Sequence, residues 1–67
     1  MRYKNERIYD YRIEFKTIDD TDYGFEMIEA HHTDEAIEIF RSYYPKDTYL
    51  ITDVYRKISG SWENNGR

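Results

Sequence analysis

Residues 8–18 alternate between apolar and polar side chains, and this period of two requires a fold that contains a half-buried β-strand. Residues 18–24 follow with three aspartates and a glycine, which favour a turn because short polar side chains bond to the backbone. Residues 23–31 predict a second strand, so the first two strands should form a hairpin. The two sides of the first strand carry Tyr9, Tyr11, Ile13 and Phe15, against Asp10, Arg12, Glu14 and Lys16.

An amphipathic helix is predicted after the hairpin. Thr33 is the expected N-cap, because its hydroxyl can accept a free backbone N–H of the first turn. Asp34 and Glu35 follow, where acidic side chains interact favourably with the helix dipole. Pro45 disfavours a helical residue before it, so the helix should stop near Tyr44. The apolar stripe consists of Ala36, Ile37, Phe40, Tyr43 and Tyr44.

A third strand is predicted over residues 48–58, and residues 59–67 are expected to be a polar, frayed tail. The fold class is therefore α+β, with a single β-β-α-β domain over residues 1–58. The simplest topology is a three-stranded antiparallel sheet of order 2-1-3, with the helix packed on one face. One helix leaves the opposite face of the sheet solvated or used for contact.

Size and composition restrict the functions that this domain can have. A chain of 67 residues builds one small domain with a marginal core. The absence of cysteine excludes disulfides, thiolate zinc sites and thiol nucleophiles. With no long apolar run and no signal-peptide pattern, the chain is expected to be cytoplasmic, with no membrane segment. A glycine-rich phosphate loop and a serine nucleophile motif are also missing, which predicts a protein that is not an enzyme and has no cofactor.

Two acidic or histidine-containing stretches resemble metal sites, and neither has the required pattern. His31 and His32 are adjacent on a predicted strand end, so their side chains point to opposite faces and rarely share one ion. Residues 19–24 lack the acidic ligand spacing of an EF-hand loop, since the positions three and five of that loop fall on Thr21 and Tyr23. No metal is therefore expected.

Charge is distributed unevenly along the chain. Residues 17–40 contain eight acidic and no basic residues, whereas the remainder contains six acidic and ten basic ones. These carboxylates are expected to form one continuous negative rim that attracts a basic partner, although a solvated face that keeps a small protein soluble is the plainer explanation. The predicted contact residues are Asp19, Asp20, Asp22, Tyr23, Phe25, Glu26, Glu29 and Glu35.

The uncovered sheet face offers a second possible contact surface. If Ile28 and Ala30 face the helix, then Tyr23, Phe25 and Met27 lie on the open face, although a bulge would move some of them inside. The sequence leaves open which face Phe25, Met27, Tyr49 and Tyr55 occupy. An exposed apolar patch there would serve a homodimer or another protein, whereas buried aromatics would only thicken the core.

In size, acidity and aromatic content, the chain resembles the small inhibitor proteins encoded by phages and mobile elements, anti-CRISPR proteins among them. Residues 28–37, followed by Tyr44 and Pro45, are also similar to the strand-to-helix segment of many small β-β-α-β proteins. The first resemblance implies an inhibitor that blocks the nucleic-acid-binding surface of a host or defence enzyme, such as a CRISPR-Cas effector. Two alternatives remain open: a structural or dimerising accessory subunit, and a single-stranded nucleic-acid binder that stacks bases on Tyr9, Tyr11, Tyr49 and Tyr55.

Overall fold

The computed structural model describes residues 7–64 and confirms an α+β fold with one helix and an antiparallel sheet. The sheet has the order β2-β1-β3-β4, and each neighbouring pair is antiparallel. The predicted order 2-1-3 is thus correct for the first three strands. The elements are β1 (Tyr9–Thr17), β2 (Tyr23–Ala30), α1 (Thr33–Tyr43), β3 (Tyr49–Ile58) and β4 (Ser61–Asn64).

The prediction of three strands was wrong, because β4 lies within the segment assigned to a polar tail. Ser59 and Gly60 have φ values of 51° and 84°, and two consecutive positive φ angles are the requirement of a type I′ hairpin turn. The chain therefore reverses directly after β3 and pairs with it. All four residues of β4 are exposed, so no burial pattern marks this strand in the sequence. Residues 65–67 of the predicted tail lie outside the described residues.

The first hairpin is closed by the side chain of Thr17. The Thr17 N–H donates to the Asp22 carbonyl at 2.9 Å, and the Thr17 hydroxyl accepts the backbone N–H groups of Thr21 and Asp22 at 3.1 and 3.0 Å. Asp20 has a φ of 66°, a conformation that aspartate tolerates better than most residues. The turn predicted from its aspartates and glycine is therefore present, and its hydrogen bonds fix the register of β1 and β2.

The core lies between α1 and one face of the sheet. The sheet side is set by the register, which places Tyr11 opposite Ile28 on β2 and Ile13 opposite Val54 on β3. The predicted inward side of β1 therefore faces the helix, as the alternation indicated. The fully buried hydrophobic residues are Tyr11, Ile13, Ala30, Ala36, Phe40 and Val54.

The ends of α1 differ in detail from the prediction. Thr33 is the first helical residue, and the N-cap is His32, whose side chain makes no capping hydrogen bond. The helix ends at Tyr43, where the Tyr44 N–H donates to the Phe40 carbonyl, in agreement with the stop signal of Pro45. Tyr43 is 75% exposed, so this member of the predicted apolar stripe lies outside the core.

Candidate binding surface

The open face of the sheet carries an apolar row along β2. Ile28 lies opposite the buried Tyr11, so alternation directs Tyr23, Phe25 and Met27 to the other side of the sheet. These three side chains are 72%, 52% and 50% exposed. The conditional prediction for the open face is therefore confirmed, and no bulge moves these residues inside.

Tyr49 and Tyr55, whose sheet face the sequence leaves open, lie on opposite faces of the sheet. Tyr55 lies opposite Arg12 on β3 and shares the open face with Phe25 and Met27. Tyr49 instead lies opposite Thr17 and packs edge-on against Phe15, with 5.5 Å between the ring centroids. Tyr49 therefore belongs to the helix side of the sheet, because an irregularity in the β1–β3 register between Glu14 and Phe15 shifts the alternation along β3.

Charged side chains of β1 lie beside the apolar row. The Arg12 guanidinium lies over the Phe25 ring, 4.4 Å from its centroid, and its Nε is 3.1 Å from a Glu14 carboxylate oxygen. A guanidinium stacked on an aromatic face is an attractive arrangement that also orders the ring. Phe25 is consequently held in place on the surface while half of it remains accessible.

The hairpin tip holds the first group of predicted carboxylates. Asp20 forms an ion pair with Lys16 at 2.7 Å, and this hydrogen bond raises the pKa of Lys16. Hydrogen bonds from the Thr21 side chain, with further bonds from Thr17 and the Thr21 backbone, lower the pKa of Asp19. Asp22 is exposed and directly precedes Tyr23. The tip thus places acidic groups next to the start of the apolar row.

Asp47 belongs to the same region, although it is not among the predicted contact residues. It lines a shallow cleft together with Asp19 and Thr48, and the Ile18 N–H donates to the Thr48 carbonyl at 2.9 Å. The antiparallel pairing of β1 with β3 brings the segment before β3 to the end of β1. If the register of β1 against β3 had been predicted from the sequence, Asp47 would have been identified as a neighbour of the hairpin tip.

The predicted continuous acidic rim is absent. Successive residues of a strand point to opposite faces, so Glu26 lies on the helix side and Glu29 on the open side. Glu35 sits in the first turn of α1, beyond the other end of β2 from the hairpin tip. Eight extended residues separate these ends by about 23 Å. The eight predicted contact residues therefore divide between two ends and two faces of β2, and only Asp19, Asp20, Asp22, Tyr23 and Phe25 lie together.

A groove of about 410 Å³ runs between the outer edge of β2 and α1. The Tyr44 hydroxyl donates a hydrogen bond to the Glu26 carboxylate inside it, and this bond raises the pKa of Tyr44. Its walls are mostly apolar and its rim is acidic. The lining residues are Glu26, Met27, Ile28, Glu29, Ile39, Phe40, Tyr43 and Tyr44.

Two carboxylates face each other across the open side of the β1–β2 pair. Asp10 lies directly opposite Glu29, and both residues are exposed. Like charges at directly opposite positions destabilise a strand pair. Asp10 also lines a cleft with Arg7 and Lys57, so basic side chains lie beside it, whereas Glu29 lies at the outer edge of the sheet.

The described residues also bear on base stacking, metal binding and membrane spanning. The prediction of four base-stacking tyrosines on one open face was wrong: Tyr11 is fully buried, Tyr9 and Tyr49 lie on the helix side of the sheet, and Tyr55 alone of the four lies on the open face. Within residues 7–64, no three or more histidine, aspartate or glutamate residues are arranged to hold a metal ion. The one helix of this part of the chain is too short and too polar to cross a bilayer.

Comparisons with protein-family models, curated proteins and solved structures found no match to this chain.

Proposed function

We propose that this protein is a non-enzymatic binding module that docks on a basic surface of a nucleic-acid-handling enzyme and blocks it. The contact surface consists of the hairpin-tip carboxylates and the adjoining aromatic side chains of β2. This is the part of the predicted contact set whose members lie together: Asp19, Asp20, Asp22, Tyr23 and Phe25.

One observation carries this proposal: exposed aromatic side chains of β2 adjoin the three aspartates of the hairpin tip, of which Lys16 forms an ion pair with Asp20 alone. Tyr23 and Phe25 are 72% and 52% exposed, and the preceding turn presents three aspartates. Carboxylates at the rim of a contact accelerate encounter with a basic partner, whereas aromatic side chains supply most of the affinity. Asp47, beside the tip cleft, adds a further negative charge from another element.

A charge variant confined to the tip tests this function. In the double variant Asp20→Asn and Asp22→Lys, asparagine preserves tolerance of the positive φ at residue 20 while the tip becomes three charges more positive. Parent and variant are immobilised in parallel and exposed to a lysate of the source cell. The parent should retain a basic nucleic-acid-handling protein, and the variant should retain at least about tenfold less of it, because repulsion replaces attraction.

A matched control changes the same charge elsewhere. Glu38 and Glu63 are exposed on α1 and β4, and the variant Glu38→Lys with Glu63→Gln also becomes three charges more positive. It should retain the partner as well as the parent does. Equal retention by the parent and the tip variant would rule out the tip as the contact surface. With the purified partner, a labelled oligonucleotide should then be displaced by the parent and not by the tip variant.

A second candidate function is supported by aromatic and basic side chains at the other edge of the open face. The Lys57 ammonium lies 5.7 Å from the centroid of the Trp62 ring, and Tyr55 lies on the same face. Base stacking on aromatic side chains next to a cation is the usual mode of single-strand binding. Saturable binding of a labelled oligonucleotide at low salt, lost in Trp62→Ala, would favour this function; unchanged anisotropy would exclude it.

Dimerisation through the open face is a third use of the same exposed side chains, and it would suit an accessory subunit with a small core. Light scattering over a concentration range tests for dimerisation. A molar mass that remains that of a single chain at every concentration would contradict a homodimer. Phe25→Ser should return a dimer to the monomer if the apolar row of β2 forms the contact.

A further inference from the structure

We infer that the outer edge of β2 binds an extended, basic segment of a partner protein as an added strand. This inference rests on the proposed function in taking the partner to be basic, but it concerns a different surface from the hairpin tip. The juxtaposition that carries it is an edge strand without lysine or arginine, bordered by an apolar groove on one face and by the exposed carboxylate of Glu29 on the other.

The hydrogen-bonding groups of this edge follow from the register. The Thr17 N–H points to Asp22, whereas the Ile18 N–H points to β3, so odd-numbered residues of this part of β1 bond to β2. Their partners on β2 are even-numbered. Alternation therefore directs the backbone N–H and C=O groups of Phe25, Met27 and Glu29 outward. Within residues 7–64, β2 pairs with β1 alone, so these groups form a row that another strand can bond.

The groove beside this edge accepts the inward side chains of an added strand. Residues of such a strand would point alternately into the groove and over the open face. On the groove side they would meet Ile28, Ile39 and Tyr43, which line the groove. The groove, with a volume of about 410 Å³, is wide enough to accept aliphatic side chains. Apolar residues at every second position therefore fit this side.

The other side of the added strand would meet negative charge. Glu29 is exposed at the outer edge of the sheet, β2 contains no lysine or arginine, and a lysine or arginine of the added strand opposite Glu29 would form a cross-strand ion pair. Long basic side chains also pack their methylene stems on Phe25 and Met27. A second copy of this chain is a poor occupant, because antiparallel pairing of two β2 strands would bring the carboxylates of both copies to one edge. A basic segment of another protein is therefore the occupant that the charges favour.

A capped peptide of alternating lysine and valine is the probe, and a glutamate–valine peptide of equal length is its charge control. Binding is followed by hydrogen exchange of the backbone amides of the full chain. Strand addition should slow exchange at Phe25, Met27 and Glu29, whose N–H groups point outward, with little change at Glu26 and Ile28, which already bond to β1. Uniform or absent protection along β2 would overturn the inference.

Backbone methylation separates strand addition from charge attraction alone. Two isomers of the peptide are compared, one N-methylated at every lysine and the other at every valine. Only one set of peptide amides can point at β2, so one isomer should bind and the other should lose binding by at least about tenfold. Equal affinity of both isomers would show that no strand is added.

Protein variants locate the site. Glu29→Gln should weaken lysine–valine binding about two- to fivefold, the contribution of one exposed charge pair. Glu38→Gln, which removes an exposed charge from α1, should leave the affinity unchanged. The tip variant Asp20→Asn with Asp22→Lys should bind the peptide within about twofold at physiological salt, because its changes lie beyond the screening length of about 8 Å. If the peptide does not bind while the tip charges still govern retention of the partner, strand addition is refuted and the proposed tip function is not. If the peptide binds at β2 while the tip charges have no effect on retention, only the proposed tip function is refuted.

Discussion

The Glu35 carboxylate accepts two hydrogen bonds from His31, one from its backbone N–H at 2.7 Å and one involving its ring Nδ1 at 3.0 Å. The two residues lie on either side of the N-cap, so the bonds tie the end of β2 to the first turn of α1. Thr33, the N-cap expected from the sequence, is one residue too far into the helix to close this junction. Glu35 was predicted as a partner contact, and this geometry gives it a structural function.

The His31–Glu35 junction should make stability depend on acid pH. The hydrogen bonds from His31 lower the pKa of Glu35 below its usual value of 4.5. A carboxylate whose pKa is lower in the folded state contributes stability above its unfolded pKa and loses it as the pH falls through the folded value. Glu35→Gln should therefore lower the melting temperature at pH 7 and have a smaller effect at pH 3. Circular dichroism melts measure this, with the exposed Glu38→Gln as control; an equal effect at both pH values would contradict it.

The Tyr11 hydroxyl is buried and has no hydrogen-bond partner within the described part of the chain. A buried polar group without a partner loses its hydration and gains nothing in return. We expect Tyr11→Phe to raise the free energy of unfolding by about 1 kcal/mol. Urea denaturation provides the measurement. As a control, Tyr44→Phe removes a hydroxyl that donates to Glu26 and should not stabilise the protein. A less stable Tyr11→Phe variant would mean that the hydroxyl has a partner in solution.

Gly24 lies under the ring of Phe15 in the β1–β2 pair. A Cβ atom at residue 24 would be 3.0 Å from Phe15 Cζ, closer than van der Waals contact. The ring cannot move freely, because Phe40, Tyr44 and Tyr49 pack around it with ring centroids 5.4, 4.8 and 5.5 Å from its own. Gly24→Ala should therefore destabilise the protein by about 1–3 kcal/mol, as overpacked cores do.

The variant Phe15→Leu is the control for this prediction, because leucine lacks the Cζ atom that a Cβ at residue 24 would approach. In the Phe15→Leu background, Gly24→Ala should cost less than in the parent, which a double-mutant cycle of unfolding free energies detects. Additive effects of the two substitutions would show that steric conflict with the ring is not the cause.

Phe40 and Tyr43 both belong to the predicted apolar stripe of α1, but they differ in burial. Phe40 is fully buried, whereas Tyr43 is 75% exposed. Phe40→Ala should cost about 3–5 kcal/mol of unfolding free energy, enough to unfold a domain of this size. Tyr43→Ala should change it by less than about 0.5 kcal/mol. Chemical denaturation of the two variants compares them, and similar losses would contradict the packing described.

Part of the candidate surface was predictable because the sides of a strand alternate. Burial of Ile28 and Ala30 is sufficient to direct Tyr23, Phe25 and Met27 to the open face. The groove was not predictable, since it depends on how far α1 lies from the edge of β2. The position of Asp47 was missed for a related reason, because only the pairing of β3 with β1 brings it to the hairpin tip.

Local chemistry thus specified the hairpin, the helix and the buried side of β1, because these features depend on neighbouring residues and on turn hydrogen bonds. The buried sides of β2 and β3 followed only from their register against β1. Tertiary structure decided where the charges lie. Glu26 and Glu29 are three residues apart and occupy opposite faces, and the tip aspartates and Glu35 lie at opposite ends of β2. A run of acidic residues becomes a surface only if the backbone brings its members to one side, and an extended strand separates them instead. The fourth strand likewise required the turn at Ser59 and Gly60, since its exposed side chains give no burial signal.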